Sequence, residues 1–136
     1  MEKRKLMATD VESIVEEKCI EFAKKLASSM HSEIGEFIKL RGNQKSTWRW
    51  RVLILNPEYH SFFSIFRGKS KYVELCAFHF YLDEKAPSDA KIKKLIVFTN
   101  NRTYQTTKAY MDWFAVSIHP YKSKDFKLNV EQYAQV

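Results

Sequence analysis

The segment Trp48-Arg49-Trp50-Arg51 sets the first chemical expectation. Alternation of this kind places the two arginines on one face of a β-strand and the two tryptophans on the other. A guanidinium grips a phosphate with two parallel hydrogen bonds, and an exposed aromatic ring stacks on an unpaired base. Further along, Arg67, Lys69 and Lys71 surround Gly68, with Tyr72 next to them, and Lys91, Lys93 and Lys94 open another apolar segment. The expected phosphate contacts are therefore Arg49, Arg51, Arg67, Lys69 and Lys71, with Trp48 or Tyr72 as the stacking ring. If Trp48 and Trp50 turn inward, as tryptophans at such positions more often do, only the cationic half of this pattern remains.

Histidine supplies the second pattern. His60, His79 and His119 each fall in or at the end of an expected strand. Two imidazoles facing one cleft could pass protons in metal-independent cleavage of RNA. Strict alternation along residues 72–83 puts His79 and Tyr81 on one face and Glu74 on the other, so His79 and Glu74 are not expected to act together. His60 and His119 suit ordinary strand ends. No H-x-x-x-H, C-x-x-C or acidic calcium loop occurs, and Asp83, Glu84 and Asp89 read as one solvated turn. There is no Walker loop, G-x-S-x-G or dinucleotide fingerprint, so neither metal nor cofactor is expected. Phe62, Phe66, Phe78, Phe80, Tyr110 and Phe114 could line a pocket, but a filled aromatic core is the better expectation for a small chain.

The charge balance points the same way as the arginines. The chain has 136 residues and a formal net charge of +7. Residues 1–40 hold seven Lys/Arg against eight Asp/Glu, whereas residues 41–136 hold sixteen against eight. The excess belongs to the part expected to be sheet and loops, and a one-sided basic surface attracts polyanions without base-specific contacts. Hydrophobic residues at 45% and only three Gly and three Pro exclude a disordered or low-complexity chain. Cys19 and Cys76 match no zinc or disulfide framework and read as reduced core thiols of a cytoplasmic protein. The longest nearly apolar run, Leu75 to Leu82, is too short to cross a bilayer.

The elements that would position these groups follow from periodicity. Residues 10–41 read as one long helix, opened by a Thr9/Glu12 capping box and carrying an apolar stripe through Val11, Val15, Cys19, Phe22, Leu26, Met30, Ile34, Phe37 and Ile38. A bend is expected near Ser28-Ser29 or Gly35. Strands are expected at 47–55, 60–67, 72–83, 91–99 and 113–119, with a hairpin turn at Gly68 and a possible edge strand through Phe126, Leu128 and Val130. Residues 104–113 fit a helix or a strand. This order of elements resembles that of cystatin-like and NTF2-like folds, without any residue motif and with no function attached.

The resulting expectation is one α+β domain over residues 1–136, with 1–9 as a flexible N-terminal segment. A long N-terminal helix packs on a curved antiparallel sheet of about five strands. The expected function is non-enzymatic: a basic, aromatic-flanked sheet edge that contacts RNA, single-stranded DNA or a nucleoprotein, away from any membrane. The alternative is a small inhibitor or accessory subunit that binds and masks a protein partner. A metal-independent ribonuclease using histidines comes third. Composition leaves the oligomeric state open.

Overall fold

The computed structural model describes residues 8–41, 47–56, 68, 70–83 and 91–133. Its elements are α1 (Ala8–Ser29), β1 (Ile34–Arg41), β2 (Thr47–Leu55), β3 (Tyr72–Asp83), β4 (Lys91–Thr99), α2 (Tyr104–Ser117), a 3-10 turn (His119–Tyr121) and β5 (Lys122–Gln132). The five strands form one open sheet in the order β1-β2-β3-β4-β5. Strands β1 to β4 pair antiparallel, and β5 pairs parallel to β4. A parallel neighbour needs a long crossover, which α2 supplies. The fold is α+β with the N-terminal helix on the sheet, as the sequence predicts. The sheet is mixed instead of wholly antiparallel.

Helix α1 buries the expected stripe: Val11, Val15, Cys19, Phe22 and Leu26 have no exposed surface. It ends at Ser29, twelve residues before the predicted end at 41. The stop is a Schellman motif. The Ser32 N–H donates to the Ala27 carbonyl at 2.9 Å and the His31 N–H to that of Ser28 at 3.0 Å. His31 itself occupies the left-handed region at φ 57°. Glycine is the usual residue there, because a side chain in that conformation costs roughly 1 kcal/mol. His31→Gly is therefore expected to raise stability by about that amount, seen as a higher urea midpoint at unchanged slope; an unchanged or lower midpoint contradicts it.

Residues 34–41 form an edge strand. The helix-like spacing of Ile34 and Phe37 arises from a β-bulge: Ile34 pairs with Ile54 and Phe37 with Val52, and the register slips between Ile34 and Glu36. The extra residue puts two side chains three apart on one face. Gly35 permits this because a Cβ there would meet the Tyr72 ring at 2.5 Å. Lys39 ties the strand back to α1 through an ion pair with Glu16 at 3.0 Å.

Strands β2, β3 and β4 have the predicted bounds. Residues 113–119 are not a strand. Helix α2 runs through Ser117, and its inward residues Thr107, Met111, Phe114 and the following Ile118 recur at helical spacing. The edge strand at Phe126–Val130 is real and longer than expected. The predicted strand at 60–67, with Phe62 and Phe66, lies outside the described residues.

One face of the sheet packs against both helices. Trp50, Val52 and Ile54 from β2, Phe78 and Phe80 from β3, and Leu95 and Val97 from β4 meet Phe22, Leu26, Phe114 and Ile118 there. Phe78, Phe80 and Phe114 are fully buried, so these three belong to a filled aromatic core, the arrangement the sequence favours over a pocket.

Candidate nucleic-acid interface

The opposite face of the sheet carries the polar and charged residues, and strand register sorts them into rows. Arg49 lies beside His79, His79 beside Ile96, and Ile96 beside Asn129. The neighbouring row toward one end joins Tyr81, Lys94 and Lys127. The row toward the other end joins Arg51, Ala77, Phe98 and Glu131. Beyond it stands Glu74, opposite Leu53. One end of this face is therefore cationic, through Arg49, Lys94 and Lys127, and the other end holds the carboxylates Glu74 and Glu131.

Glu74 shares this face with His79 because of a second bulge. The pairing slips between Val52, which faces Cys76, and Leu53, which faces Glu74. Leu75 is the extra residue, and it is buried. An inserted residue reverses the parity of everything before it, so the alternation that separates Glu74 from His79 in the sequence fails here. Bulges re-aim side chains in this way near sites where strands do chemistry.

Arg51 is committed to Glu74. Its Nε and Nη2 donate to the two carboxylate oxygens at 3.1 Å and 3.4 Å, a forked pair with side-chain exposures of 45% and 24%. The hydrogen bond to Glu74, and then the charge of its carboxylate, hold the guanidinium pKa above its usual value. Tyr133 sits at the same end; burial raises its phenol, and the Glu74 carboxylate adds to the effect. Its ring stacks near Phe98 at 6.2 Å, and Phe98 in turn lies 4.5 Å from the His79 ring. His79 is held below the usual histidine pKa, first by burial and then by the positive charge of Arg49; Glu74 and Glu131 pull it the other way.

On the cationic end, Lys94 places its ammonium over the Tyr81 ring at 5.8 Å. Lys94 and Lys127 stand side by side across the parallel pair. Like charges in register cost stability unless an anion relieves them. Arg49 and Lys127 are exposed, while Lys94, His79, Tyr81 and Phe98 are half-exposed.

Among the described residues, the sequence-predicted set does not come together as one flank. Trp48 is 5% exposed and stacks on Phe80 at 4.8 Å on the helix side, so it offers no ring to a base; Trp50, 1% exposed, packs beside it. Lys71 and Tyr72 sit at the far end of the β2–β3 pair, about 20 Å along the strand from Arg49. There the Tyr72 ring lies against Gly35 and under the Lys71 ammonium, and both residues line a cleft of about 670 Å³ with Met30, Ile34 and Leu55. Arg67, Lys69 and His60 lie outside the described residues. Gly68 adopts the positive φ expected of its turn. His119 opens the 3-10 turn, exposed and away from this face. Sequence reasoning missed the shared face of Glu74, and the roles of Phe98, Lys127, Glu131 and Tyr133, because each depends on pairing between distant segments.

Cys19 and Cys76 are free and buried. Burial raises both thiols far above their usual pKa, and the neighbouring Cys76 adds to the effect at Cys19, so neither is a nucleophile. Among the described residues no group of His, Cys, Asp and Glu could hold a metal ion, and no helix is long and apolar enough to cross a membrane. No protein-family profile, no curated protein and no solved structure matches this chain.

Proposed function

We propose that the face of the sheet turned away from the helices binds RNA or single-stranded DNA. The observation that carries the reading is the meeting of three cations from three strands, Arg49, Lys94 and Lys127, with the rings of Tyr81 and His79 in adjacent rows. Cations of this kind take phosphates, and half-exposed rings stack on unpaired bases. The pairing of like charges at Lys94 and Lys127 supports an anionic partner, since a bound phosphate removes their repulsion. The site is the cationic end of the sheet face. The flank joining Arg49 to Lys71 drops out, and Trp48 is replaced by Tyr81 and His79 as the rings available to bases.

The test is a fluorescence-anisotropy titration of a labelled single-stranded oligonucleotide at several salt concentrations. Three phosphate contacts give a slope of log K against log salt of about −2. Glu74→Gln frees Arg51 from its forked partner. It is expected to tighten binding several-fold and to steepen the slope by roughly 0.7. Binding that ignores salt, or no binding at low salt, ends the proposal.

A second reading has its own observation. Trp113 and Val116 on α2 are 41% and 73% exposed, on the helical side, with Lys25 over the Trp113 and Tyr110 rings. Exposed aromatic anchors of this kind favour a protein partner, as the inhibitor or accessory-subunit reading requires. That reading predicts a stoichiometric complex that survives nuclease treatment.

A further inference from the structure

His79 stands at the centre of the proposed interface, and four charged or aromatic neighbours from three other strands and its own decide its behaviour. Arg49 on β2 is its direct cross-strand partner. Phe98 on β4 lies 4.5 Å from its ring. Glu74 on its own strand and Glu131 on β5 act on it through space. Resting on the reading that this face binds nucleic acid, we infer that His79 is a phosphate-binding residue that takes up a proton when the backbone docks, so that affinity rises as pH falls.

The reason is a thermodynamic linkage. In the free protein a proton on His79 must coexist with partial burial and with the Arg49 guanidinium beside it, and both disfavour the imidazolium. A phosphate laid across Arg49 cancels that charge and offers the imidazolium an acceptor. Binding therefore raises the pKa of His79, and the bound state holds more proton than the free state between the two values. Above the bound-state value His79 is neutral in both states and affinity is flat. Between the two values affinity gains at most about tenfold for each unit that pH falls, because one proton is taken up per complex. Below the free-state value it is flat again. The site would grip a nucleic acid more firmly in an acidified setting without any change of fold.

Oligothymidylate is the probe, because thymine has no group that titrates near the histidine range. Its affinity is measured by anisotropy at constant ionic strength from about pH 8 to about pH 5.5. Wild type is expected to tighten several-fold over this range, and His79→Gln is expected to bind with little dependence on pH. The imidazole C–H resonances of His79, followed by NMR, should show its titration moving to higher pH in the complex. PH-independent binding of the wild type, or the same pH profile in His79→Gln, overturns the inference while leaving the interface intact. Absence of binding at every pH overturns both.

Discussion

Phe22→Ala is expected to lower the stability of the protein by about 3–5 kcal/mol, the range for removing a buried aromatic ring. Phe22 has no exposed surface and sits where α1, α2 and the sheet converge. Its ring meets Phe114 of α2 at 4.8 Å and Phe78 of β3 at 5.9 Å, both edge-on, and lies 6.5 Å from Trp113. Edge-to-face pairs add to the value of burial alone, so the loss exceeds that of an aliphatic residue of similar size. A domain of this size has about 5–15 kcal/mol in total, so the variant loses a large share of its margin. Phe22→Leu keeps most of the volume and should cost less than about 1.5 kcal/mol. Urea unfolding followed by tryptophan fluorescence measures both. A loss under about 1 kcal/mol in Phe22→Ala would mean that the two helices are not joined through this ring.

The parts of this fold that were legible in the sequence are those whose signal lies within one segment. Trp48-Arg49-Trp50-Arg51 alternates because β2 has a buried and an exposed face, and its bounds follow from that alternation. The stripe of α1 from Val11 to Leu26 is visible for the same reason. The misreadings occur where a bulge or a side-chain type imitates the wrong period. Ile34 and Phe37 looked helical because the slip at Gly35 puts residues three apart on one side of a strand. Trp113 to Ile118 looked extended because it is aromatic and β-branched. Yet Phe114 and Ile118 are buried four residues apart and Val116 between them is exposed, which only a helix allows. The site was less legible than the fold. Its rows join β2, β3, β4 and β5, and nothing local states which residue of β4 lies beside Tyr81, or that Leu75 is the residue that turns Glu74 toward His79. Arg51 shows the consequence, since its cation was apparent from the sequence but its carboxylate partner, 23 residues away, was not.

Reversing Arg49 and Lys94 together, as Arg49→Glu with Lys94→Glu, is expected to weaken binding of single-stranded nucleic acid on the order of a hundredfold at low salt and to flatten the salt slope from about −2 to about −0.7. Two of the three cations of the face are lost, and two carboxylates then oppose the backbone. The fold should survive. Arg49 is exposed, and the new carboxylate at position 94 would stand beside Lys127, turning a like-charge pair into an attractive one. The thermal midpoint is therefore expected to hold or rise. The control has the same change in net charge on the helical side: Lys24→Glu with Lys25→Glu, both exposed on α1. If binding depends on where the cations stand, the control loses only the small part owed to long-range attraction, which salt screens. If it depends on total charge alone, the two double variants weaken binding equally. Equal weakening would remove the interface and leave a basic protein with no preferred face. A large loss confined to the sheet variant, with an unchanged or higher midpoint, would mean that phosphates lie across β2 and β4 on the side the helices leave uncovered.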